Sequence, residues 1–340
     1  MNTLPSLRGL LVAALSLALF ACGSSEDEPP AAETAGGEAV APAPEVATGP
    51  VRSYVADDHT VVMRLDMARV RASSVSSDIA SLVRSYPTWQ QLLGSSGIDP
   101  VRDLDLVLVT AAAAQGSDSG TMLIRHQLTN ERVREAVLSM AVDRGAQPEW
   151  RQVDGFDVVD WPAQTEVPRV VVITAEHELL VTTAGELDAA LAVAHDHRLR
   201  RQADEVVEPA LHLDDGVIAS LRVDELSDRW RARIEHPPER LEAVLREAAS
   251  EAGAEDGHFA IDADATYADA ASAEAARAWF VQQRDFYAGQ MLVRAVGLDR
   301  PLREAQIVAE GERVSIDAAF SEEEVQRVLG LLAFAQMGGG

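Results

Sequence analysis

AEHELLVTTAGE at residues 175–186 and AEGERVSIDAAFSEEE at residues 309–324 present the same features in the same order. Each stretch has a turn of the form Ala-Glu-x-Glu, then an apolar strand pattern, then a Thr or Ser followed three residues later by glutamate. The last feature is a capping box, in which the hydroxyl and the glutamate each accept a hydrogen bond from a helix-end amide. The pattern therefore predicts two β-hairpins, each running directly into a helix.

The segments around these hairpins extend the similarity. Residues 60–70 match residues 216–226 at every apolar position except Ala68, and both segments predict a strand that runs into a helix. The first half also predicts strands at 105–110 and 121–128 and a helix capped by Asn130. The second half predicts an alternating strand at 258–267 and a helix from about Ser272.

These patterns predict a mixed α/β (α+β) fold with antiparallel strands and capped helices in two similar halves. The halves are placed at residues 51–198 and 212–335, with a charged junction between them at 199–211. Two arrangements stay open at this point, namely two separate domains and one pseudo-symmetric domain.

The N-terminal fifty residues have a different composition. An apolar run of 11 residues, Leu10 to Phe20, is too short to cross a bilayer and is typical of a signal peptide. Residues 23–50 consist mainly of Gly, Ser, Pro, Ala and acidic residues, and they contain no aromatic and no basic residue. Such a segment cannot bury enough apolar surface to fold, so we expect a disordered acidic tether, with an interaction tail as the alternative.

The junction between these segments, Leu19-Phe20-Ala21-Cys22, resembles the lipobox of bacterial lipoproteins. The resemblance implies that residues 1–21 are a signal peptide, that Cys22 is lipidated, and that residues 22–50 form the lipid anchor and tether. By the same resemblance, Gly23 in place of aspartate favours the outer membrane of the cell envelope. The alternative is a buried free cysteine. The rest of the chain, from residue 51 on, resembles only uncharacterised tethered envelope lipoproteins of high-GC Gram-negative bacteria. This resemblance implies no active-site residues.

The composition excludes several classes of function. The 340 residues include 29 basic and 55 acidic side chains, and the net charge of −26 opposes binding to nucleic acid. The chain has no lysine, which excludes Schiff-base chemistry and the lysine-containing phosphate loop. Its single cysteine, Cys22, excludes an intrachain disulfide, a multi-cysteine zinc site and an iron–sulfur cluster.

The familiar catalytic motifs are incomplete. His177-Glu178 begins like a zinc-protease motif, but Val181 stands where the second histidine ligand is required. Asp118-Ser119-Gly120 has the letters of an aspartic-protease loop, but no second copy exists, and a hairpin turn explains it. We therefore expect a protein that is not an enzyme and that uses no cofactor.

Two groups of residues are candidates for metal binding. The first comprises His195, His197 and His212 with nearby aspartates, since imidazoles and carboxylates bind zinc and similar ions. His195 and His197 would point about 200° apart on a continuous helix, so they converge only if the helix ends before them. The second is Asp262 and Asp264 on one strand face, which are candidates for paired carboxylates or a calcium site. The alternative is an ordinary solvent-facing strand surface.

A third candidate site is a cluster of large apolar side chains on one predicted helix: Trp279, Phe280, Phe286, Tyr287 and Met291. These residues could line a pocket for a lipid or another hydrophobic ligand. The alternative is core packing, because Ala276, Phe280, Tyr287 and Met291 share a helical stripe.

The leading functional hypothesis is a non-enzymatic, lipid-anchored envelope protein that binds a ligand or partner or serves structurally. Its expected partner is the membrane, through the N-terminal anchor. Whether it also binds a protein or a hydrophobic ligand is left open by the sequence. One alternative is a carrier or sensor of hydrophobic ligands. The other is a metal-dependent hydrolase built on His195 and His197.

Overall fold

The computed structural model describes residues 52–55, 59–85, 96–112, 120–161, 167–205, 207, 216–226, 231, 234–248 and 258–337. In this part of the chain, twelve strands form one antiparallel sheet and nine helices pack around it. The mixed α/β class predicted from the sequence is therefore confirmed. Cys22 and the predicted signal peptide and tether lie outside the described residues.

The described part of the first half contains seven strands and five helices. They are β1 (Val61–Asp66), α1 (Met67–Ala72), α2 (Ser76–Ser85), α3 (Pro100–Asp103), β2 (Leu104–Ala111), β3 (Gly120–His126), α4 (Asn130–Asp143), β4 (Arg151–Val153), β5 (Phe156–Trp161), β6 (Arg169–Ala175), β7 (Glu178–Thr183) and α5 (Leu187–Gln202). A short 3-10 turn, Ala184–Glu186, connects β7 to α5.

The second half contains five strands and four helices in the described residues. They are β8 (Val217–Val223), β9 (Arg240–Ala248), β10 (His258–Thr266), α6 (Ala270–Gly289), α7 (Met291–Ala295), α8 (Asp299–Glu304), β11 (Gln306–Glu310), β12 (Arg313–Ser321) and α9 (Glu322–Met337).

The two halves share the sheet through one pair of strands at its centre. The strand order is β11-β12-β10-β9-β8-β1-β2-β3-β7-β6-β5-β4, and β1 pairs with β8, with Val61 opposite Val223. Counted outward from this joint, the order is β1-β2-β3-β7-β6 in one half and β8-β9-β10-β12-β11 in the other. Among the strands that the structure describes, the β4–β5 hairpin adds two to the first half alone.

Helix α4, which follows β3, and helix α6, which follows β10, lie on the same face of the sheet. We call it the shared face. Val133 and Val137 of α4 pack on Val171 of β6, and Ala276 of α6 packs near Val314 of β12. Two residues paired across antiparallel strands point to the same face of the sheet. The strand pairings lead step by step from Val314 to Val171, so α4 and α6 lie on the same face.

The helices that follow the two hairpins lie on different faces. Leu191 of α5 packs with Val170 and Leu180, which alternate with the shared-face residues and so point to the opposite face. Leu329 of α9 packs instead with Phe259 and Phe320, which belong to the shared face. The halves therefore agree in strand order and differ in the position of their last helix.

The two capping boxes also differ. The Ser321 hydroxyl accepts from the Glu324 amide at 3.3 Å, and the Glu324 carboxylate accepts from the Ser321 amide at 2.8 Å, which completes the box. Thr183 accepts from the Glu186 amide at 3.3 Å, but the Glu186 carboxylate accepts from Gly120 and Thr182 instead. Only half of the first box forms, because neighbouring strands compete for its carboxylate.

Three predicted boundaries need correction. Thr129, with an extended backbone, caps α4 by accepting from the Arg132 amide, so Asn130 is the first helical residue and not the cap. Residues 224–226 after β8 are not helical, whereas the match to residues 60–70 predicted that β8 runs directly into a helix. Helix α5 continues past residue 198 to Gln202.

Candidate functional site: an apolar pocket beneath α4

A cavity of about 120 Å³ lies between α4 and the shared face of the sheet. Helix α4 contributes Val133, Val137 and Met140 to its walls. The sheet contributes side chains from neighbouring strands: Met122, Ile124, Val171, Leu179 and Val181. Apart from His126 and Arg169, every lining side chain is apolar or aromatic, so the pocket favours an apolar occupant.

Strand alternation and the position of α4 together create this space. Alternate residues of a strand share a face, so Met122, Ile124 and His126 of β3 all point toward α4. The helix packs on Val159 and Val171 of β5 and β6, where burial is nearly complete. Over β3 the contact is looser, and Met122 and Ile124 stay only partly buried.

The pocket has two distinct ends. Strand β3 has seven residues and rises about 3.4 Å per residue, so its ends are about 20 Å apart. His126 lies at the end of β3 next to the start of α4. Arg169 lies at the other end, where its Nη1 donates to the Gly120 carbonyl at 3.3 Å.

The His126 end presents a buried hydrogen-bond acceptor. The side chain is 3% exposed, and its Nδ1 donates to the Leu128 carbonyl at 3.2 Å. Burial lowers the pKa of His126, and the neighbouring His177 lowers it further, which favours the neutral imidazole. Its Nε2 is then an acceptor, buried without a hydrogen-bond partner among the described residues.

The Arg169 end presents a positive charge. Most of the arginines that the structure describes pair with carboxylates, as Arg134 does with Asp157 and Arg246 does with Asp262. Within the same residues no carboxylate pairs with Arg169, although its side chain is partly buried beside the apolar lining. Trp161, its cross-strand neighbour, completes this end of the pocket.

The opposite face of the sheet holds a buried cluster of charges between β3, β7 and α5. The Glu178 carboxylate, 2% exposed, accepts from Arg201 at 2.6 Å, from Arg125 at 3.5 Å and from the Thr174 hydroxyl at 2.8 Å. Burial and the Glu178 charge raise the pKa of the adjacent Tyr54. These contacts satisfy Glu178 within the protein, so the cluster joins the two strands to α5.

The predicted metal ligands on α5 diverge. The helix is continuous through both histidines, and the His197 Nε2 donates to the Arg52 carbonyl at 2.6 Å from a fully buried position. His195 is exposed and accepts from Arg198 at 2.9 Å. The condition for convergence, an earlier helix end, is therefore not met. His212 lies outside the described residues, and no group of three suitable ligands occurs within them.

The aspartates of β10 each face a guanidinium. Asp262 pairs with Arg246 at 2.6 Å, and Asp264 accepts from Arg313 and from the Ser315 hydroxyl. Arg313 lowers the pKa of Asp264 below its usual value. The two carboxylates share a strand face as predicted, but each is neutralised by an arginine of an adjacent strand.

The aromatic residues of α6 divide between core and surface. Phe280 packs on the cluster that contains Ala276 and Val314, and the Trp279 ring lies 5.0 Å from it. Phe286 is 43% exposed, and its ring contacts Tyr287 at 5.3 Å. None of these four residues lines the pocket beneath α4.

The apolar stripe predicted to run through Met291 is interrupted. Helix α6 ends at Gly289, Gln290 is extended, and Met291 is 85% exposed.

The pocket itself was not predicted from the sequence. Two signals for it exist in hindsight: the alternation of Met122, Ile124 and His126 along one strand, and an arginine at the start of the apolar strand 169–175. Neither identifies a pocket alone, because the space depends on where α4 packs.

Comparisons with protein families and with curated proteins found no match. Among solved structures, the chain is similar to the protein in "Structure of crystal form I of TP0453". The TM-score is 0.40 and the sequence identity 12%, over 83% of this chain and 95% of that chain. Across the described ranges, no helix is both long enough and apolar enough to cross a membrane.

Proposed function

We propose that this protein is a non-enzymatic binding protein for a small hydrophobic ligand, which occupies the pocket beneath α4. The observation that carries the proposal is the apolar lining of a cavity of about 120 Å³. An engineered lysozyme cavity of about 150 Å³ binds benzene, so this volume suits a small ring or a short acyl chain. Of the functions expected from the sequence, a carrier or sensor of hydrophobic ligands fits this geometry best.

The other alternative from the sequence, a metal-dependent hydrolase, gains no support from the described residues. Its two central ligands, His195 and His197, sit on different sides of α5 and are engaged by Arg198 and by the Arg52 carbonyl. A ligand pair for one ion requires both imidazoles on one side of the helix.

Filling the pocket from α4 tests the proposal. Val137 lines the cavity, whereas Val142 on the same helix is 58% exposed. We expect the full-length protein to bind toluene, a neutral probe close to benzene in size, saturably in titration calorimetry. Val137→Phe should weaken binding by at least about 10-fold, or about 1.4 kcal/mol, because the added ring occupies the ligand's space.

Val142→Phe is the matched control, since it adds the same bulk outside the cavity. Its probe affinity should equal that of the unmodified protein, and circular dichroism should show both variants folded. Absence of saturable binding, or equal affinity in the Val137→Phe variant, would refute the pocket as the binding site.

We also propose that the protein is anchored in the cell envelope, in the outer membrane, by lipidated Cys22. The support is the lipobox resemblance at residues 19–22 and the acidic tether that follows it. Cys22→Ser removes the thiol that carries the lipid, so the variant should leave the detergent phase in a phase-partitioning experiment. Unchanged detergent partitioning would contradict the anchor.

We propose further that the two halves are pseudo-symmetric copies of one motif. The support is their equal strand order outward from the β1–β8 joint and the shared-face position of α4 and α6. The last helix departs from the symmetry, since α5 and α9 lie on opposite faces. In this proposal the motif was duplicated first, and the last helix of one copy changed face afterwards.

A further inference from the structure

The charge at one end of the pocket identifies the ligand class, provided that the proposed function holds. Arg169 lines an otherwise apolar cavity and donates from Nη1 to the Gly120 carbonyl. A guanidinium has five N–H donors, so this contact leaves donors of Arg169 for another group. A charged group beside apolar walls is costly unless an opposite charge pairs with it.

The described residues around Arg169 do not supply that opposite charge. Glu186 lies near Arg169, because both bond to Gly120. The Glu186 carboxylate accepts from the Gly120 amide at 3.2 Å, and Arg169 donates to the Gly120 carbonyl. However, that carboxylate is also bonded to Thr182, which points to the opposite face of the sheet, and it lies 3.4 Å from the His59 imidazole. No carboxylate among the described residues pairs with Arg169 on the pocket side.

The apolar lining begins immediately beside this guanidinium. Val171 follows Arg169 on the same face of β6, and Val181 and Met122 continue the lining across β7 and β3. A ligand that contacts both parts must carry a negative group at one end and an apolar chain behind it. Carboxylates match the planar fork of arginine through two parallel hydrogen bonds.

We propose that the pocket binds an amphiphilic carboxylate of the fatty-acid class, with its carboxylate on Arg169 and its chain between α4 and β3. The chain points toward the His126 end, and Val137 and Ile124 contact its methylene groups. Arg169 is then the residue that distinguishes an acid from a neutral molecule of the same length.

Competition against the toluene probe, followed by titration calorimetry on the full-length protein, tests the ligand class. The competitors are octanoate and 1-octanol, which share a chain length and differ in charge. In Arg169→Met, octanoate affinity should fall by about 10- to 100-fold, the range expected for one charge-assisted pair. Affinity for 1-octanol should stay unchanged, and Arg169→Lys should retain part of the octanoate affinity because it keeps the charge. Arg294→Met, which removes an exposed arginine on α7, is the control for net charge.

The possible results separate the two proposals. If neither the probe nor 1-octanol binds the unmodified protein, the proposed function fails and the ligand class fails with it. If both bind but octanoate affinity is the same in Arg169→Met, only the ligand class is overturned. Equal loss of octanoate affinity in Arg294→Met would also overturn it, because the effect would come from net charge.

Discussion

At the scale of single residues, His197 is a neutral group held inside the protein. It is fully buried against the Tyr54 ring, with ring centres 5.0 Å apart, and it donates to the Arg52 carbonyl. Burial lowers the pKa of His197, and this effect outweighs the opposing influence of the Arg52 hydrogen bond and the Glu178 charge. His197 therefore connects stability to pH.

We expect the protein to lose stability as the pH falls below about 6.5, the pKa of an unfolded histidine. The lowered pKa of His197 in the folded state means that the unfolded chain takes up the proton first. Stability from this residue is complete above the unfolded pKa and is lost as the pH falls toward the folded pKa. One such group contributes a slope of at most about 1.4 kcal/mol per pH unit.

Urea unfolding at pH 7.5 and pH 5.5 measures this slope. His197→Gln should reduce the slope, whereas His195→Gln changes an exposed imidazole on the same helix and should leave it unaltered. An identical slope in His197→Gln and the unmodified protein would show that other groups cause the acid sensitivity.

At the scale of elements, the two capping boxes have different roles. The Glu324 carboxylate bonds to the Ser321 amide, whereas the Glu186 carboxylate bonds to the Gly120 amide and the Thr182 hydroxyl and lies 3.4 Å from His59. One glutamate therefore completes a helix end, while the other connects β3, β7 and the segment before β1.

We expect Glu186→Ala to cost more stability than Glu324→Ala. The first change leaves the Gly120 amide without its acceptor, at about 1 to 3 kcal/mol for a buried group, and it removes one of the two partners of the Thr182 hydroxyl, which keeps Thr121. The second removes one capping bond, at about 1 kcal/mol. Urea midpoints of the two variants measure the difference, and equal midpoints would mean that the Glu186 contacts contribute nothing beyond the cap.

The sequence predicted those parts of the fold that local patterns control. Strand β10 alternates between apolar and polar residues, and the 313–321 strand ends at a serine followed by three glutamates, so both elements were predicted within one or two residues. The β1–β8 joint, the shared-face position of α9 and the pocket depend on contacts between distant segments. Periodicity along a segment carries no information about those contacts.

The candidate site shows the same division. His195 and His197 were recognised as metal candidates by residue type. Helix geometry required the helix to end before them, and α5 instead continues to Gln202. Arg169 has an ordinary sequence context, and its role depends on the absence of a paired carboxylate within the folded region described here. Residue type alone therefore selected the more conspicuous group.

At the scale of the whole molecule, the continuous sheet makes each half dependent on the other. Strand β1 pairs with β2 on one side and with β8 on the other, so without the second half it becomes an edge strand. Val61 and Val62 of this strand are buried in the complete sheet. An exposed edge with apolar residues promotes pairing with other chains.

A fragment ending at Gln202 should therefore self-associate through β1. Size-exclusion chromatography with light scattering would show dimers or larger species, and co-expression of residues 203–340 should suppress them by supplying β8. A fragment that stays monomeric alone would show that β1 is protected by some means other than its pairing with β8.

The β1–β8 pairing also limits how early the sheet can form during synthesis of the chain. Val61 pairs with Val223, so the ribosome must translate the whole intervening sequence before the centre of the sheet can close. At about 5–20 residues per second, that interval lasts on the order of ten seconds. Throughout it, the nascent chain carries an open template strand, which makes the growing polypeptide, rather than the finished protein, the form that most needs a chaperone.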